Sequence, residues 1–236
     1  MPECVLTSRD QGWYQWAGQF AKAKRTRFMV PFPEPEEGNS TLTQEQILGG
    51  YREAAEHASG GKLIISAGHG GSSGLSSGMV DLAPDGAVRL TAAHLTLHAQ
   101  GRLQRQDQGV IQAVTAIGGI LRQHRVNSIL FISCNVGNSL EFLGAIAGHW
   151  GGRTVGGYRR IVEPAWVEFT PGTRTYYIYL ANKPPKTDAE IRKCSVDYPP
   201  LKPGDYWSTS RPVRRLRPRT PRVPPPARGG PRRRGR

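Results

Sequence analysis

The sequence predicts an α/β fold with a mostly parallel central sheet of at least four strands, helices on both faces and an antiparallel hairpin near the C-terminal edge. Three observations predict it. Lys62-Leu63-Ile64-Ile65-Ser66 and Ser128-Ile129-Leu130-Phe131-Ile132 are short apolar runs rich in branched residues, ended by small or turn-forming ones, so they read as buried strands. Each run follows a segment of helical periodicity, and strand–helix–strand units build parallel sheets through right-handed crossovers. Finally, Ala165 to Thr170 and Thr173 to Leu180 alternate apolar and polar residues around Pro171-Gly172, a hairpin signal.

Taken in order, residues 1–26 read as a mixed N-terminal extension, with the aromatic Gly12 to Phe20 packing on the domain edge. Arg27 to Val30 is the first expected strand, stopped at Pro31, and Pro31 to Asn39 has loop composition. Thr43 is the expected N-cap of a helix, Gln46 sits at the capping-box position, and Gly60-Gly61 closes the element. After the 62–66 strand, Gly70 to Gly78 is backbone able to approach a ligand closely. Met79 to Leu90 reads as a small hairpin turning at Asp85-Gly86, Thr91 to Gln106 as partly helical, and Asp107 to Arg125 as a helix. Asn138 is the expected cap of a helix over Ser139 to Trp150, followed by a fourth core strand over Arg153 to Gly157. Asp205-Tyr206-Trp207 are the last residues expected to pack. This places a folded domain over 27–207 and an Arg/Pro-rich tail over 208–236, whose composition predicts disorder.

The net charge of +14 is unevenly spread. From Ser208 to Arg236 there are 11 Arg, no Lys and no acid, so residues 1–207 carry only +3 (21 basic, 18 acidic). The basicity belongs to the tail and does not argue that the folded domain binds nucleic acid. Arg211 to Arg236 would instead bind a polyanion, nucleic acid or an anionic membrane surface, in a salt-dependent way. Cys4, Cys134 and Cys194 are too sparse for a disulfide framework and form no C-x-x-C pair, so a reducing compartment is the simpler reading. No apolar run approaches the ~18 residues of a membrane span, and no secretory leader pattern is present. The expected location is cytoplasmic, or delivered as an effector without a classical signal peptide. No metal or cofactor site is expected. His94 and His98 have i,i+4 spacing but no third ligand, and the glycine run is not followed by Gly-Lys-Ser/Thr.

The chemistry lies at two strand ends. One apolar run leads into Ala67-Gly68-His69-Gly70, the other into Ser133-Cys134-Asn135. In open parallel sheets sites form at the carboxyl ends of strands. If the two strands are neighbours, an imidazole and a thiol project into one crevice. A thiol becomes a strong nucleophile when an adjacent imidazole takes its proton, and the acyl intermediate then needs donors for its oxyanion. The backbone N–H groups of Gly70 and Cys134 are the candidates. A glycine after the base leaves the scissile carbonyl unobstructed, and the helix expected from Asn138 would turn its positive end towards Cys134. Asp81 and Glu163 are the candidate supporting carboxylates in nearby loops.

Ile65-Ser66-Ala67-Gly68-His69-Gly70 and Ile129-Leu130-Phe131-Ile132-Ser133-Cys134 together resemble the signature of the caspase-like (clan CD) cysteine peptidase superfamily: an apolar strand ending in His-Gly, a helix, then an apolar strand ending in Cys. The look is nearest to bacterial members such as the self-cleaving cysteine protease domains of large toxins. The resemblance covers about Arg27 to Leu180. It implies a three-layer sandwich and a cysteine endopeptidase acting on a peptide or protein substrate. By it His69 is the base, Cys134 the nucleophile, and Gly70 with Cys134 the oxyanion hole. The caspase sequence Gln-Ala-Cys-x-Gly is absent, so aspartate specificity does not carry over. The inositol-phosphate-binding basic residues of the toxin domains have no assigned counterparts, although Lys62, Arg159 and Arg160 are basic residues nearby. The alternative is a catalytically inert caspase-like binding module, tethered to nucleic acid or an anionic surface by its Arg-rich tail.

Overall fold

The computed structural model describes residues 1–34, 42–66, 70–71, 74–75, 90–105, 108–194, 197 and 205–209. In chain order the elements begin with β1 (Glu3–Thr7), α1 (Gln11–Ala23), β2 (Arg27–Pro31), α2 (Gln44–His57) and β3 (Lys62–Ser66). Three two-residue strands follow, β4 (Gly70–Gly71), β5 (Gly74–Leu75) and β6 (Leu90–Thr91), then α3 (Ala92–Ala99), α4 (Gln108–Gln123) and β7 (Ser128–Phe131). A 3-10 turn over Val136–Asn138 leads to α5 (Leu140–His149), β8 (Thr154–Tyr158), β9 (Val162–Thr170), β10 (Thr173–Leu180), α6 (Asp188–Cys194) and β11 (Tyr206–Ser208).

Among the described residues the main sheet has six strands in the order β11-β8-β7-β3-β1-β2. The five from β2 to β8 are parallel neighbours, and only β11 runs antiparallel, on the β8 edge. The expected α/β fold with a mostly parallel sheet is therefore present, and β9 and β10 form the expected antiparallel hairpin. Alternation along the strands makes two cores. Leu63, Ile65, Ile129, Phe131 and Val155 face the layer built from α2, α4 and α5. Val5, Ile64, Leu130, Ile132 and Tyr158 face Trp16 and Phe20 of α1 and Val162, Ile178 and Leu180 of the hairpin. Strands covered on both faces read as unbroken apolar runs, and each fully buried Leu, Ile or Phe contributes about 1.5–3 kcal/mol.

Residues 3–23, assigned by sequence to an extension, are integral to this architecture. β1 lies between β2 and β3, in register with both, and Trp16 and Phe20 of α1 are fully buried. Only three apolar residues, Cys4 to Leu6, mark β1, too short a run to stand out. The readable signal was Asp10, whose carboxylate accepts from the Gly12 and Trp13 amides and caps α1. At the amino end of the sheet Glu3 pairs with Arg27 (3.1 Å) and Lys62 (3.3 Å), so Lys62 stands at the opposite end of β3 from the segment carrying His69. The capping box of α2 forms as expected, with Gln46 N–H donating to Thr43 Oγ1 (3.2 Å) and Thr43 N–H to Gln46 Oε1 (2.9 Å). The hairpin expected at Met79 to Leu90 falls outside the described residues except for Leu90, and so does the tail from Ser210.

Candidate functional site

β3 and β7 are parallel neighbours, with Ile65 opposite Phe131. The Ile132 N–H donates to Ile65 O (2.9 Å), carrying the pairing one residue past β7. The two chain segments therefore leave the sheet side by side at its carboxyl edge. One carries His69 three residues beyond Ser66, and the other carries Cys134 two residues beyond Ile132. His69 itself lies outside the described residues, as do Asp81 and Asp85. The next residue, Gly70, opens β4, and β4 lies against the 3-10 turn Val136–Asn138 that follows Cys134. Backbone on either side of the two candidate catalytic residues thus converges on one place.

Cys134 is half-buried, and its thiol donates to Val162 O (3.5 Å) at the start of β9. Asn135 takes a left-handed conformation (φ 58°), which asparagine tolerates, and its N–H donates to Arg160 O (3.0 Å). These two bonds clamp the turn after β7 to the loop between β8 and β9. Close backbone approach deepens the clamp: a Cβ at Gly137 would lie 2.3 Å from Gly157 O. Ser139, not Asn138, caps α5, accepting from Phe142 N–H (3.3 Å). Asn138 instead donates its amide to Arg159 O (2.9 Å) and accepts from Arg159 Nε (3.2 Å).

A cavity of about 580 Å³ opens here, walled by Asn135, Asn138, Arg159, Arg160, Ile161 and Asn182. Arg160 is paired with the carboxylate of Asp205, which also accepts from Lys183 Nζ (3.1 Å). Asp205 is only 1% exposed. Burial alone would raise its carboxyl, but the hydrogen bonds and charges of Lys183 and Arg160 outweigh that and hold it below its ordinary value. Asp205 precedes β11 and ties both ends of the β9–β10 hairpin to the sheet edge. Sequence reading named Arg159 and Arg160 only as nearby basic residues and missed Asn135, Asn138, Asn182 and Asp205. An Arg-Arg pair directly after a core strand was the available signal.

Glu163 sits on β9 beside Val162, where its carboxylate accepts from the Tyr179 hydroxyl (2.9 Å) and pushes that hydroxyl up. Its described partner is therefore Tyr179. His94 accepts from the Thr91 N–H (3.3 Å) in the capping box of α3, whereas the His98 ring faces His149 at 5.6 Å. The i,i+4 histidines thus have separate partners. His149, at the end of α5, bonds Thr115 of α4 through Nε2 (2.9 Å). Ser66 and Ser133, on the two site-bearing segments, bury hydroxyls that have no hydrogen-bond partner among the described residues. Among the described residues no helix is long and apolar enough to cross a membrane.

Compared with known proteins, the chain matches no family model, no curated protein and no solved structure.

Proposed function

We propose that the protein is a cysteine peptidase of caspase-like type, with Cys134 as nucleophile and His69 as base. The observation that carries this reading is the convergence at the carboxyl edge of β3 and β7. These strands are adjacent and in register, and the backbone just after His69 lies against the turn just after Cys134. In this reading His69 takes the Cys134 proton as sulfur attacks the scissile carbonyl. The N–H groups of Gly70 and Cys134 hold the oxyanion, and His69 returns the proton to the leaving amine. Water then hydrolyses the acyl-enzyme. The nucleophile stands on a turn clamped by Asn135 and Gly137, which fixes where it points; such preorganisation is what acyl transfer needs.

A second reading, an inert module that binds without cutting, is favoured by one contact: the Cys134 thiol already donates to Val162 O. A peptide-library cleavage screen separates the two. Cleavage by the wild type that disappears in Cys134→Ala supports the peptidase. No cleavage by either, with Cys134 alkylated no faster than free cysteine, leaves the inert module.

A further inference from the structure

We propose that the open hollow at the amino edge of the sheet, walled by Arg122, Arg125 and Arg153, binds nucleic acid through its backbone phosphates and acts together with the Arg-rich tail. This does not rest on the peptidase reading. The hollow measures about 450 Å³. It lies where α4 and α5 end and β7 and β8 begin, at the opposite end of β7 from Cys134.

The sequence concentrates positive charge there. Gln108 to Leu140 contains no Asp or Glu, and neither does Phe142 to Val162. The near-neutral total of residues 1–207 therefore hides a local excess. Helix carboxyl ends repel anions, but Arg153 occupies their carbonyls: it donates to Leu121 O (3.0 Å), Val126 O (2.7 Å) and Trp150 O. Arg122 and Arg125 are then surplus. Both are exposed, and no carboxylate pairs with either among the described residues. Burial, and then the charge of Arg122, lower Arg153 from its ordinary value, as happens where guanidinium groups face one another.

The tail departs from the same place. Thr209 N–H donates to Val155 O (2.9 Å), and its hydroxyl donates to Arg153 O (3.4 Å). Chain length keeps Arg211, two residues on, within about 7 Å of Thr209. Arg211 is the first of the 11 tail arginines, so phosphates seated in the hollow are continuous with those the tail can reach. Guanidinium groups match phosphate oxygens bidentately. An anionic membrane is the poorer partner, because the one aliphatic side chain of the described wall, Val126, is 1% exposed and offers nothing to insert. The described wall also holds no aromatic ring on which a base could stack, so recognition is of phosphates and independent of base sequence.

The test follows the anisotropy of fluorescein-labelled duplex DNA and single-stranded RNA, titrated with the full chain over a range of salt. Arg122→Gln combined with Arg125→Asn should weaken binding at least roughly tenfold, the scale of hydrogen bonds to a charged group. Asparagine is chosen because it tolerates the left-handed backbone at that position (φ 54°). The salt slope should fall by about 1.4–1.8, or 0.7–0.9 for each of two phosphates. Arg52→Gln combined with Arg174→Gln removes the same charge at exposed positions outside the hollow. It should cost less than about threefold, since charges beyond a Debye length are screened. The charge-keeping pair Arg122→Lys with Arg125→Lys should retain the slope, which separates lost charge from a lost fold. A wild type that binds neither probe, equal losses in the hollow and control pairs, or a slope lost in the lysine pair overturns the proposal. Vesicles of phosphatidylserine and phosphatidylcholine form the last arm. If the hollow pair weakens vesicle binding but not nucleic-acid binding, the partner is a membrane and the proposal falls.

Discussion

Three thiols share this chain and differ in what surrounds them. Cys4 is fully buried in β1, and burial, with Glu53 adding to it, pushes its thiol up to about 12. Cys194 is buried at the end of α6 and is also raised, chiefly by burial. Cys134 is half-buried at the mouth of the sheet. Iodoacetamide labelling at neutral pH, read by peptide mass, should therefore modify Cys134 well before the other two. Equal, slow labelling of all three would count against an activated thiol. Asp205 gives a second residue-scale prediction. Its carboxyl lies below the ordinary 3.8, so the stability it contributes is present above pH 3.8 and is lost as pH falls below that value. Asp205→Asn should cost about 1–3 kcal/mol at pH 7, because it leaves Arg160 and Lys183 without their anion. The gap between the two proteins in thermal melts should narrow below pH 3.8. A gap that stays constant with pH would show that the carboxylate is not what Asp205 contributes.

At the scale of elements, helix starts and close backbone contacts carry the local definition of the fold. Thr43→Ala removes one half of the α2 capping box and should cost about 1 kcal/mol, measured by urea denaturation. Gly137→Ala is different in kind. The new Cβ would meet Gly157 O at 2.3 Å and the neighbouring backbone at 2.9 Å, atoms that cannot swing aside. The cost should be about 1–3 kcal/mol, with slower Cys134 alkylation as the clamped turn moves. Gly60→Ala makes a useful control. It strains a positive φ (68°) but meets no atom, so it should lower stability without altering the thiol.

For the whole molecule the question is where the folded body ends. β11 pairs with β8, and Thr209 continues the contact: its N–H donates to Val155 O (2.9 Å), and its hydroxyl accepts from Val155 N–H (2.9 Å). A chain ending at Thr209 should melt at the same temperature as the full chain. It should also elute from an immobilised polyanion at much lower salt, since it loses all 11 tail arginines and drops from +14 to +3. A chain ending before Asp205 should be markedly less stable, because the edge strand and the carboxylate tying the hairpin go together. Equal stability of the two truncations would show that the edge strand is dispensable.

The apolar runs of β3 and β7, the helical spacing between them and the Pro171-Gly172 turn were enough to read an α/β fold from residues alone, because burial on both faces demands unbroken branched apolar sequence. Thr43 with Gln46 was legible for the same local reason: a capping box is written within four residues. β1 was not, since a five-residue interior strand has too little periodicity and is stabilised by neighbours far along the chain. Nor was the cavity. Asn138 read as a cap from its position before a helix, whereas its side chain bonds Arg159, a residue of a segment about twenty positions further along the chain. Sequence by itself determined β3, β7, the helices that precede them, the β9–β10 hairpin and the residue types at two strand ends. Tertiary structure alone decided that those ends are neighbours, that Asp205 occupies Arg160, and that Arg159 is left facing the cavity, because each depends on pairing between segments tens of residues apart.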